Sequence, residues 1–330
     1  MKILITGGAG FIGSTIASAC LDSGHEVVIL DDLSAGRREF VEGRTFIEGD
    51  IGDRELLDRV FSEHRPDAVV HCAAKIIVPE SVEQPLTYYE NNVAKTVTLL
   101  QAMDAAGIGR LLFSSSASIY ATEANFQVTE ESGLAPNSPY ATTKYMMEMV
   151  LRDTAMATDI RVMSLRYFNP IGADPQMRTG LQIAKPTHVL GKMLEAWLEK
   201  STFTVTGVDW PTRDGSGIRD YIHVWDLARA HVAALEKFDE ATDAETPYLV
   251  VNIGTGKGST VKELVAAFEA ATGEPLKTIE GPARPGDVAG AYTVSSRAKE
   301  TLGWQTELTE ADAIRDAIRW LEVRKERLGY

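Results

Sequence analysis

A glycine-rich turn directly after the first apolar segment most constrains the fold of this chain. Lys2–Thr6 reads as a buried strand, ITGGAGFIG then places Gly7, Gly10 and Gly13 in sequence, and a helical pattern begins at Phe11. Of these glycines one permits the tight turn, one lets backbone amides approach a pyrophosphate, and one allows close helix–strand packing. The helix N-terminus adds a dipole that favours an anion. The pattern predicts a dinucleotide-binding turn.

Strand-like and helix-like segments alternate after this turn, which indicates a parallel sheet covered by helices on both faces. We therefore expect an α/β fold, a Rossmann-type doubly wound parallel sheet with a second, smaller α/β substrate domain. Residues 1–169 form the predicted NAD-binding domain, to which 220–254 return. Residues 170–330 form most of the second, discontinuous domain, with long polar loops at 170–186 and 207–217. The predicted strands are 2–6, 27–30, 46–48, 68–70, 111–113, 160–165 and 249–253, and the helices 11–23, 55–64, 92–106, 139–157, 224–238, 261–271 and 311–323.

Acidic residues follow the second and third predicted strands. Asp31 and Asp32 end the second strand, where a carboxylate accepts hydrogen bonds from the adenosine ribose and repels a 2′-phosphate. This favours NAD over NADP. Asp50 follows the third strand and is either an adenine neighbour or a solvated loop residue.

Three further residues suit the transfer of a hydride at an alcohol or sugar carbon. Tyr140 and Lys144 are four residues apart on a predicted helix, so they share one face. A nearby ammonium favours the phenolate, which could act as a general base. Ser116 ends a predicted strand and could hydrogen-bond the same substrate oxygen. A tyrosine with a lysine one turn later is also common on ordinary surface helices, so the pattern gains its meaning from the glycine turn.

Composition excludes several other classes of function. The net charge of −14, from 33 basic and 47 acidic residues, argues against a nucleic-acid partner. Cys20 and Cys72 form no CxxC pair, and the six histidines form no HExxH, so we predict no disulfide framework and no metal site. The chain enters a strand without a signal-like segment, and no apolar run approaches the ~20 residues of a membrane span. We expect a cytoplasmic protein without membrane contact.

These residues resemble a known family. The motifs TGGAGFIG, SSSASIY and YATTK resemble the extended short-chain dehydrogenases/reductases. More specifically, RYFNPIGA (166–173), DGSGIRDYIHVWDLA (214–228) and ARPGD (283–287) resemble the UDP-glucose 4-epimerases, over nearly the whole chain. The resemblance implies inversion of carbon 4 of a UDP-hexose. Tyr140 would take the 4-hydroxyl proton, tightly held NAD would take and return the hydride, and the 4-keto sugar would turn over in between.

The resemblance also implies roles for individual residues. Asn169 would contact the substrate, Arg219 and Arg284 would hold its diphosphate, Asp287 would bind a ribose hydroxyl, and Tyr167 would lie beside the nicotinamide. The less favoured alternative is a surface ion pair for each arginine and a turn residue for Asp287. Asn91 would face cofactor or substrate. The complete cofactor set that we expect is Gly7, Gly10, Phe11, Ile12, Gly13, Asp31, Asp32, Asp50, Ile51, Ala73, Lys75, Asn91, Tyr140, Lys144 and Tyr167, and the substrate set is Ser116, Tyr140, Asn169, His188, Arg219, Arg284 and Asp287.

The chain departs from the family pattern at three places. Ile76 stands where other members have a phosphate-binding lysine, and Lys75 could substitute for it. His188 replaces a substrate-contacting asparagine. Ala291 stands at a position that is a bulky tyrosine in some members, which would leave room for an N-acetyl group, although Tyr292 would restore the bulk if the register shifts by one.

Competing functions are disfavoured by particular residues. Nucleotide-sugar dehydratases need an acid and a base where this chain has Ala117 and Ser118, and UDP-glucuronate decarboxylases need a glutamate nearby. A catalytically inactive NAD-sensing protein would typically lack the Tyr140 or Lys144 equivalent. A simple alcohol dehydrogenase would not need the loops that carry Arg219 and Arg284. A 4-epimerase of an N-acetylhexosamine, pentose or uronate stays open. Family members usually form dimers through helices equivalent to 92–106 and 139–157, so we expect a homodimer. The extra apolar residues there fit core packing equally well.

Overall fold

The computed structural model describes residues 1–284 and 287–330; Pro285 and Gly286, within the ARPGD motif, lie outside the described residues. The strands are β1 (Lys2–Thr6), β2 (Glu26–Asp31), β3 (Thr45–Glu48), β4 (Ala68–His71), β5 (Arg110–Ser116), β6 (Gln127–Val128), β7 (Arg161–Tyr167), β8 (Asn169–Ile171), β9 (Phe203–Thr206), β10 (Ile218–Arg219), β11 (Tyr221–His223), β12 (Tyr248–Ile253), β13 (Ser259–Thr260), β14 (Thr278–Gly281) and β15 (Gly290–Thr293).

Helices connect most of these strands. The α-helices are α1 (Phe11–Asp22), α2 (Arg54–His64), α3 (Val78–Glu83), α4 (Pro85–Tyr88), α5 (Lys95–Ala106), α6 (Pro139–Ala157), α7 (Val189–Leu198), α8 (Val224–Glu236), α9 (Phe238–Ala241), α10 (Val261–Thr272), α11 (Arg297–Leu302) and α12 (Glu310–Leu328). Short 3₁₀ turns cover Arg38–Phe40 and Ala117–Ile119, and a π-helical turn covers Tyr89–Ala94.

A seven-stranded sheet of order β12-β7-β5-β4-β1-β2-β3 forms the frame. All its neighbouring strands are parallel. Along β1 the side chains alternate: Ile3 and Ile5 pack in one core with α1 and α8, whereas Leu4 packs in the other core with α2, α5 and α6. The strand order reverses between β1 and β4, which places a ligand crevice at their carboxyl ends. The predicted doubly wound α/β fold is confirmed.

Residues 169–223 and 257–293, with α12, build a second region with its own apolar core, whereas Ala298, Leu302 and Trp304 pack in the core of the seven-stranded sheet. It contains a four-stranded sheet of order β13-β10-β15-β6 and the pairs β11–β8 and β14–β9. Helices α7, α10 and α12 bury Leu194, Phe268 and Ile314 against one another. Strand β6 joins this sheet by pairing with β15, although it lies before residue 169. Among the described residues no helix combines the length and apolar character needed to cross a membrane.

Most of the predicted elements occur within a few residues of their expected ends. The helix at 139–157 begins and ends as predicted, because Ser138 caps it and Pro139 occupies its first position. The predicted helix at 92–106 begins inside the π-helical turn and becomes regular at Lys95. Helix α7 was not predicted, since it lies between two polar loops.

Candidate functional site

The glycine turn lies at the crevice where the strand order reverses. Gly7 has φ +71°, and a Cβ there would lie 2.6 Å from the backbone nitrogen of Ala73 at the end of β4. A Cβ on Gly13 would lie 2.2 Å from the Gly7 carbonyl oxygen. Gly10 is the N-cap of α1, so no side chain occupies the first amides of this helix. Because the first amides of a helix lack an intrahelical acceptor, those of Phe11 and Ile12 can donate to a pyrophosphate. The cradle fits NAD.

Asp31 supports the turn as well as facing the predicted ribose position. Its Oδ2 accepts from the Ala9 amide at 2.9 Å, and its Oδ1 accepts from the Leu33 amide at 2.8 Å. Burial raises the pKa of Asp31, while these backbone donors act in the opposite direction. Asp32 is exposed and its Oδ1 accepts from the Ser34 amide at 2.9 Å. Two carboxylates therefore stand at the end of β2, the position from which an acidic side chain accepts from the adenosine ribose of NAD.

The predicted adenine and phosphate neighbours have partners within the protein. Asp50 Oδ2 accepts from Lys95 Nζ at 2.5 Å, while Ile51 is buried in the core beneath it. Lys75 Nζ lies 3.9 Å from Glu80 Oε1 and is partly exposed, so it can reach solvent or a ligand.

A buried asparagine that the sequence analysis passed over joins the loop after β4 to α6. We call α6 the catalytic helix, because it carries the candidate residues Tyr140 and Lys144. Asn92 Oδ1 accepts from the Lys75 amide at 2.8 Å, and its Nδ2 donates to the Lys75 carbonyl and to Thr143 Oγ1, each at 3.0 Å. The predicted Asn91 is half-buried and donates to Asn92 Oδ1 at 3.1 Å. The NN pair in the sequence was the available signal, and burial distinguishes its two members.

Ser116, Tyr140 and Lys144 meet at the carboxyl edge of the sheet. Ser116 is the last residue of β5 and pairs in register with Tyr167 of β7. Tyr140 and Lys144 lie on the buried face of α6. Lys144 is 2% exposed; its Nζ donates to the Ser114 carbonyl at 2.8 Å and lies 4.9 Å from the centre of the Phe113 ring. The lysine is thus fixed to the strand that carries the serine.

Burial dominates the electrostatics of this group. It raises the pKa of Tyr140, and a hydrogen bond with Ser116 acts in the opposite direction. It also lowers the pKa of Lys144 to about 8, against the attraction of Cys72 and Glu148. The ammonium is therefore retained at neutral pH, and the phenol needs further positive charge to ionise.

Beneath the trio, polar side chains form a second layer. Ser114 Oγ lies 3.0 Å from His231 Nε2 and 3.2 Å from Cys72 Sγ. His71, at the end of β4, lies between Thr6 Oγ1 and Thr96 Oγ1 at 2.7 and 2.9 Å. Burial, with the charge of Lys144, lowers the pKa of His71 to about 3. This neutral layer leaves Lys144 as the positive charge next to Tyr140.

A buried ion pair ties the catalytic helix to the sheet. Arg166 Nη2 donates to Glu148 Oε2 at 2.6 Å, and Ser115 Oγ donates to Glu148 Oε1 at 2.5 Å. Arg166 also donates to the Tyr120 hydroxyl at 3.0 Å. Glu148 is one turn beyond Lys144, while Ser115 and Arg166 directly precede Ser116 and Tyr167. The sequence analysis gave this network no role; an acidic residue four places after Lys144 on the same face was its only signal.

On the substrate side, Asn169 and Arg219 lie on short strands of the second region. Asn169 begins β8, and its amide donates to the Asp220 carbonyl at 3.0 Å. Arg219 donates to the carbonyls of Ala289 at 2.8 Å and Val288 at 3.0 Å. Burial lowers its pKa, with Asp287 and Arg284 also within electrostatic range. The structure thus brings three of the predicted diphosphate and ribose residues near one another.

Arg284 and Asp287 pair with each other. The guanidinium makes two hydrogen bonds to the carboxylate, both 3.1 Å long, and Arg284 is exposed. His188 lies apart from them, at the N-cap of α7, where burial lowers its pKa to about 4 and its Nδ1 is buried without a partner among the described residues. His188 also lines a cavity of about 140 Å³ with Phe11.

Ala291 and Tyr292 are neighbours in strand β15, but their side chains pack in different clusters. Ala291 pairs with Arg219 and packs against Tyr120 and Phe168, in the cluster that includes Ala117 beside Ser116. Tyr292 packs in the cluster of Phe126 and Ile218, and its hydroxyl accepts from Gln127 at 2.8 Å. Because successive strand residues face opposite ways, Ala291 faces the catalytic end and Tyr292 faces away.

Comparisons with known proteins agree with this geometry. The model of the NAD dependent epimerase/dehydratase family matches residues 3–254. The chain is 42% identical to the UDP-glucose 4-epimerase of Azospirillum brasilense, over 99% of this chain and 94% of that protein. It is 41% identical to the UDP-glucose 4-epimerase of Bacillus subtilis, over 97% and 96% of the two chains. The predicted resemblance to UDP-glucose 4-epimerases is confirmed.

Solved structures give the same result. A UDP-glucose 4-epimerase from Stenotrophomonas maltophila, with bound NAD and formylated UDP-arabinopyranose, superposes with a TM-score of 0.93 at 36% identity, over 99% of each chain. The enzyme from Bifidobacterium longum, in complex with NAD⁺ and UDP, superposes with a TM-score of 0.91 at 35% identity, over 98% of each chain. With its glycine cradle, its catalytic helix and these relatives, the chain belongs to the NAD dependent epimerase/dehydratase family.

Proposed function

We propose that this protein is a UDP-glucose 4-epimerase that interconverts UDP-galactose and UDP-glucose with bound NAD. One observation carries the proposal: Ser116, Tyr140 and Lys144 stand together at the carboxyl edge of the sheet, beside the glycine cradle. Relatives of about 40% identity over nearly the full chain bear this name. The reaction is an isomerisation, since the hydride that leaves carbon 4 returns to the opposite face of the same carbon.

Tyr140 acts as the base in this proposal. Its phenolate takes the proton of the sugar 4-hydroxyl while carbon 4 loses a hydride, and the carbonyl of a 4-keto sugar forms. Bound NAD would supply a hydride acceptor that also gives the hydride back, together with the positive charge of its nicotinamide ring. Tyr140 returns the proton to the oxygen as the hydride comes back to carbon 4. Lys144 adds a second positive charge, which favours the phenolate against the burial that raises its pKa. Ser116 hydrogen-bonds the reacting oxygen and keeps it near Tyr140.

The second region holds the nucleotide. Arg219 and Arg284 supply the positive charge that a diphosphate needs in a chain of net charge −14. Asp287 accepts from a ribose hydroxyl, and Asn169 contacts the phosphate or sugar. His188 contacts the substrate from a separate position, at the start of α7 beside the cavity that it lines with Phe11. The domain division follows: residues 1–169 with 220–254 bind NAD, and most of 170–330 binds the UDP-sugar.

The assembly that we propose is a cytoplasmic homodimer formed through α5 and α6. Met147 of α6 is fully buried in the core of its own chain, whereas Met149 and Met156 are 39% and 70% exposed. Exposed methionines on this helix are suited to a subunit interface.

The proposal is tested by incubating the purified protein with UDP-galactose without added reductant and separating the sugars. We expect UDP-glucose to accumulate to a constant ratio without net NADH. UDP-N-acetylgalactosamine, a UDP-pentose and a UDP-uronate serve as comparison substrates, because Ala291 is a small side chain on the face of β15 that packs with Tyr120 and Phe168. Failure to convert UDP-galactose by protein that carries NAD would contradict the assignment, and conversion of a comparison substrate alone would transfer it to that sugar.

A further inference from the structure

A segment of the second region lies along the NAD-binding helix. Thr179 Oγ1 and Thr15 Oγ1 of α1 are 3.0 Å apart in a buried contact. Arg178 makes two hydrogen bonds to Asp22 at the other end of α1, at 2.7 and 2.9 Å. The 178–182 segment is therefore fixed to the helix that begins at the glycine turn.

The same segment reaches the loop that follows β2. We name residues 32–37 the ribose loop, because the adenosine ribose is expected at the end of β2. Gln182 is 4% exposed, and its Nε2 donates to the Ala35 carbonyl at 2.9 Å. The Tyr330 hydroxyl donates to the Gln182 carbonyl. The same hydroxyl accepts from Arg37 Nε at 2.9 Å.

Tyr330 also provides a surface for two cations. The guanidinium carbons of Arg37 and Arg324 lie 5.8 and 5.6 Å from the centre of its ring. Trp320 Nε1, on the same helix as Arg324, donates to the Leu181 carbonyl at 2.9 Å. Helix α12 and Tyr330 thus hold the segment from the side opposite α1.

Any movement of the ribose loop would reach the glycine turn. The Arg37 amide donates to the Ala9 carbonyl at 2.9 Å, and the Ala9 amide donates to Asp31 at 2.9 Å. A Cβ on Gly36 would lie 2.7 Å from both Ala9 Cβ and Asp31 Oδ1, so loop and turn are in close contact. The position of the ribose loop therefore sets the geometry of the cofactor cradle.

We propose that Gln182 and Tyr330 form a clasp that retains NAD and holds the Arg37 guanidinium away from the adenosine ribose. An arginine beside this ribose pairs well with a 2′-phosphate, so a released Arg37 would favour NADP. The neighbouring Arg38 is already paired with Glu48. The clasp residues are positioning residues: they act on the cofactor through the ribose loop. The inference rests on NAD binding in the proposed function, and not on the identity of the sugar.

The test measures cofactor content and cofactor choice. Tyr330→Ala, Tyr330→Phe and Gln182→Ala are purified with the wild type, and NAD per chain is determined after prolonged dialysis and acid extraction. NAD and NADP are then added and the melting temperatures compared. We expect Tyr330→Ala and Gln182→Ala to lose NAD about 10-fold faster and to gain stabilisation by NADP. Tyr330→Phe keeps the ring but not the hydroxyl, and should lie between them and the wild type.

Tyr292→Phe is the matched control, because its hydroxyl also pairs with a glutamine amide but lies in β15, away from the ribose loop. It should retain NAD like the wild type. Folded Tyr330→Ala and Gln182→Ala proteins that keep NAD and its preference over NADP within twofold of the wild type would overturn the clasp. A wild type that retains NAD but does not epimerise UDP-galactose would contradict the proposed function alone.

Discussion

The catalytic and diphosphate ends of the candidate site are built from similar charged groups in opposite ways. Lys144 and Glu148 are 2% and 3% exposed, and each is fixed by hydrogen bonds that need no ligand. Arg284 and Asp287 pair with each other near the surface, so in the proposed function a UDP-sugar would compete with this pair for their hydrogen bonds. The first end is preorganised for chemistry, which is where fixed dipoles and charges are most effective. In the proposed function, the second end would change its hydrogen-bond partners when the UDP-sugar binds.

The largest expected effect tests the catalytic end of this comparison, at Tyr140. Tyr140→Phe removes the base and keeps the shape, so kcat should fall about 10³-fold while the fold and NAD content stay unchanged. Tyr145→Phe, on the same helix, is the control and should be close to wild type. Steady-state kinetics and circular dichroism check both variants. A Tyr140→Phe enzyme within tenfold of wild type would show that another group takes the proton.

The next effect concerns the ion pair beneath the catalytic helix. Glu148→Gln leaves the buried Arg166 without its counter-charge and should lower the free energy of unfolding by about 3 kcal/mol. Replacing both residues with apolar ones of similar size should cost much less. Denaturant unfolding of the two variants compares them. Equal losses for the single and double variants would mean that packing, and not charge, holds the helix.

Smaller effects are expected at the diphosphate end. Arg219→Gln should raise KM about 10- to 100-fold with a smaller change in kcat, because one charged hydrogen-bond donor to the diphosphate is lost. Arg284→Gln should raise KM less, since the charge of Arg284 is already countered by the Asp287 carboxylate, whereas the partners of Arg219 are uncharged carbonyls. Initial rates over a range of UDP-galactose concentrations separate the two. The reverse order would mean that Arg284, and not the half-buried Arg219, contributes more to binding.

The smallest expected effect concerns the free energy of unfolding, which the burial of the charged Lys144 lowers. Its folded pKa is lowered to about 8, so the unfolded chain binds more protons between this value and the normal lysine value. Stability should therefore rise as the pH increases through that range. Lys144→Met removes this cost and should stabilise the fold at pH 7 by about 1 kcal/mol, after the loss of the bond to Ser114, while activity is lost. Thermal unfolding at pH 7 and pH 10 tests both expectations.

The two ends also differ in how far the sequence predicts them. The glycine turn and the spacing of Tyr140 and Lys144 are local patterns on one strand and one helix, so the parallel sheet and the catalytic group follow from them. At the same end, Asn92, Glu148 and Arg166 gain their roles from partners that lie 17 to 51 residues away along the chain. Local patterns do not reveal such partners. The short strands β8 to β11 and helix α7 were missed for the same reason. They are too short to be stable by themselves, and packing against distant parts of the chain stabilises them.

The roles of the individual substrate residues stay predictions. Ala291 shows what the structure adds. The sequence left open whether Ala291 or Tyr292 stands at the position of the family's tyrosine, and the pleat of β15 assigns the two side chains to different clusters.

The position of β12 at the edge of the seven-stranded sheet has a consequence for biosynthesis. The core around Ile16 is closed by Leu227 of α8, Val251 of β12 and Trp304, all encoded in the last third of the chain. A ribosome that has made the glycine turn and the catalytic helix has therefore made a sheet with one face still open to water. The nascent chain must keep that apolar face from aggregating until those residues emerge, and chaperone demand should be greatest in this interval.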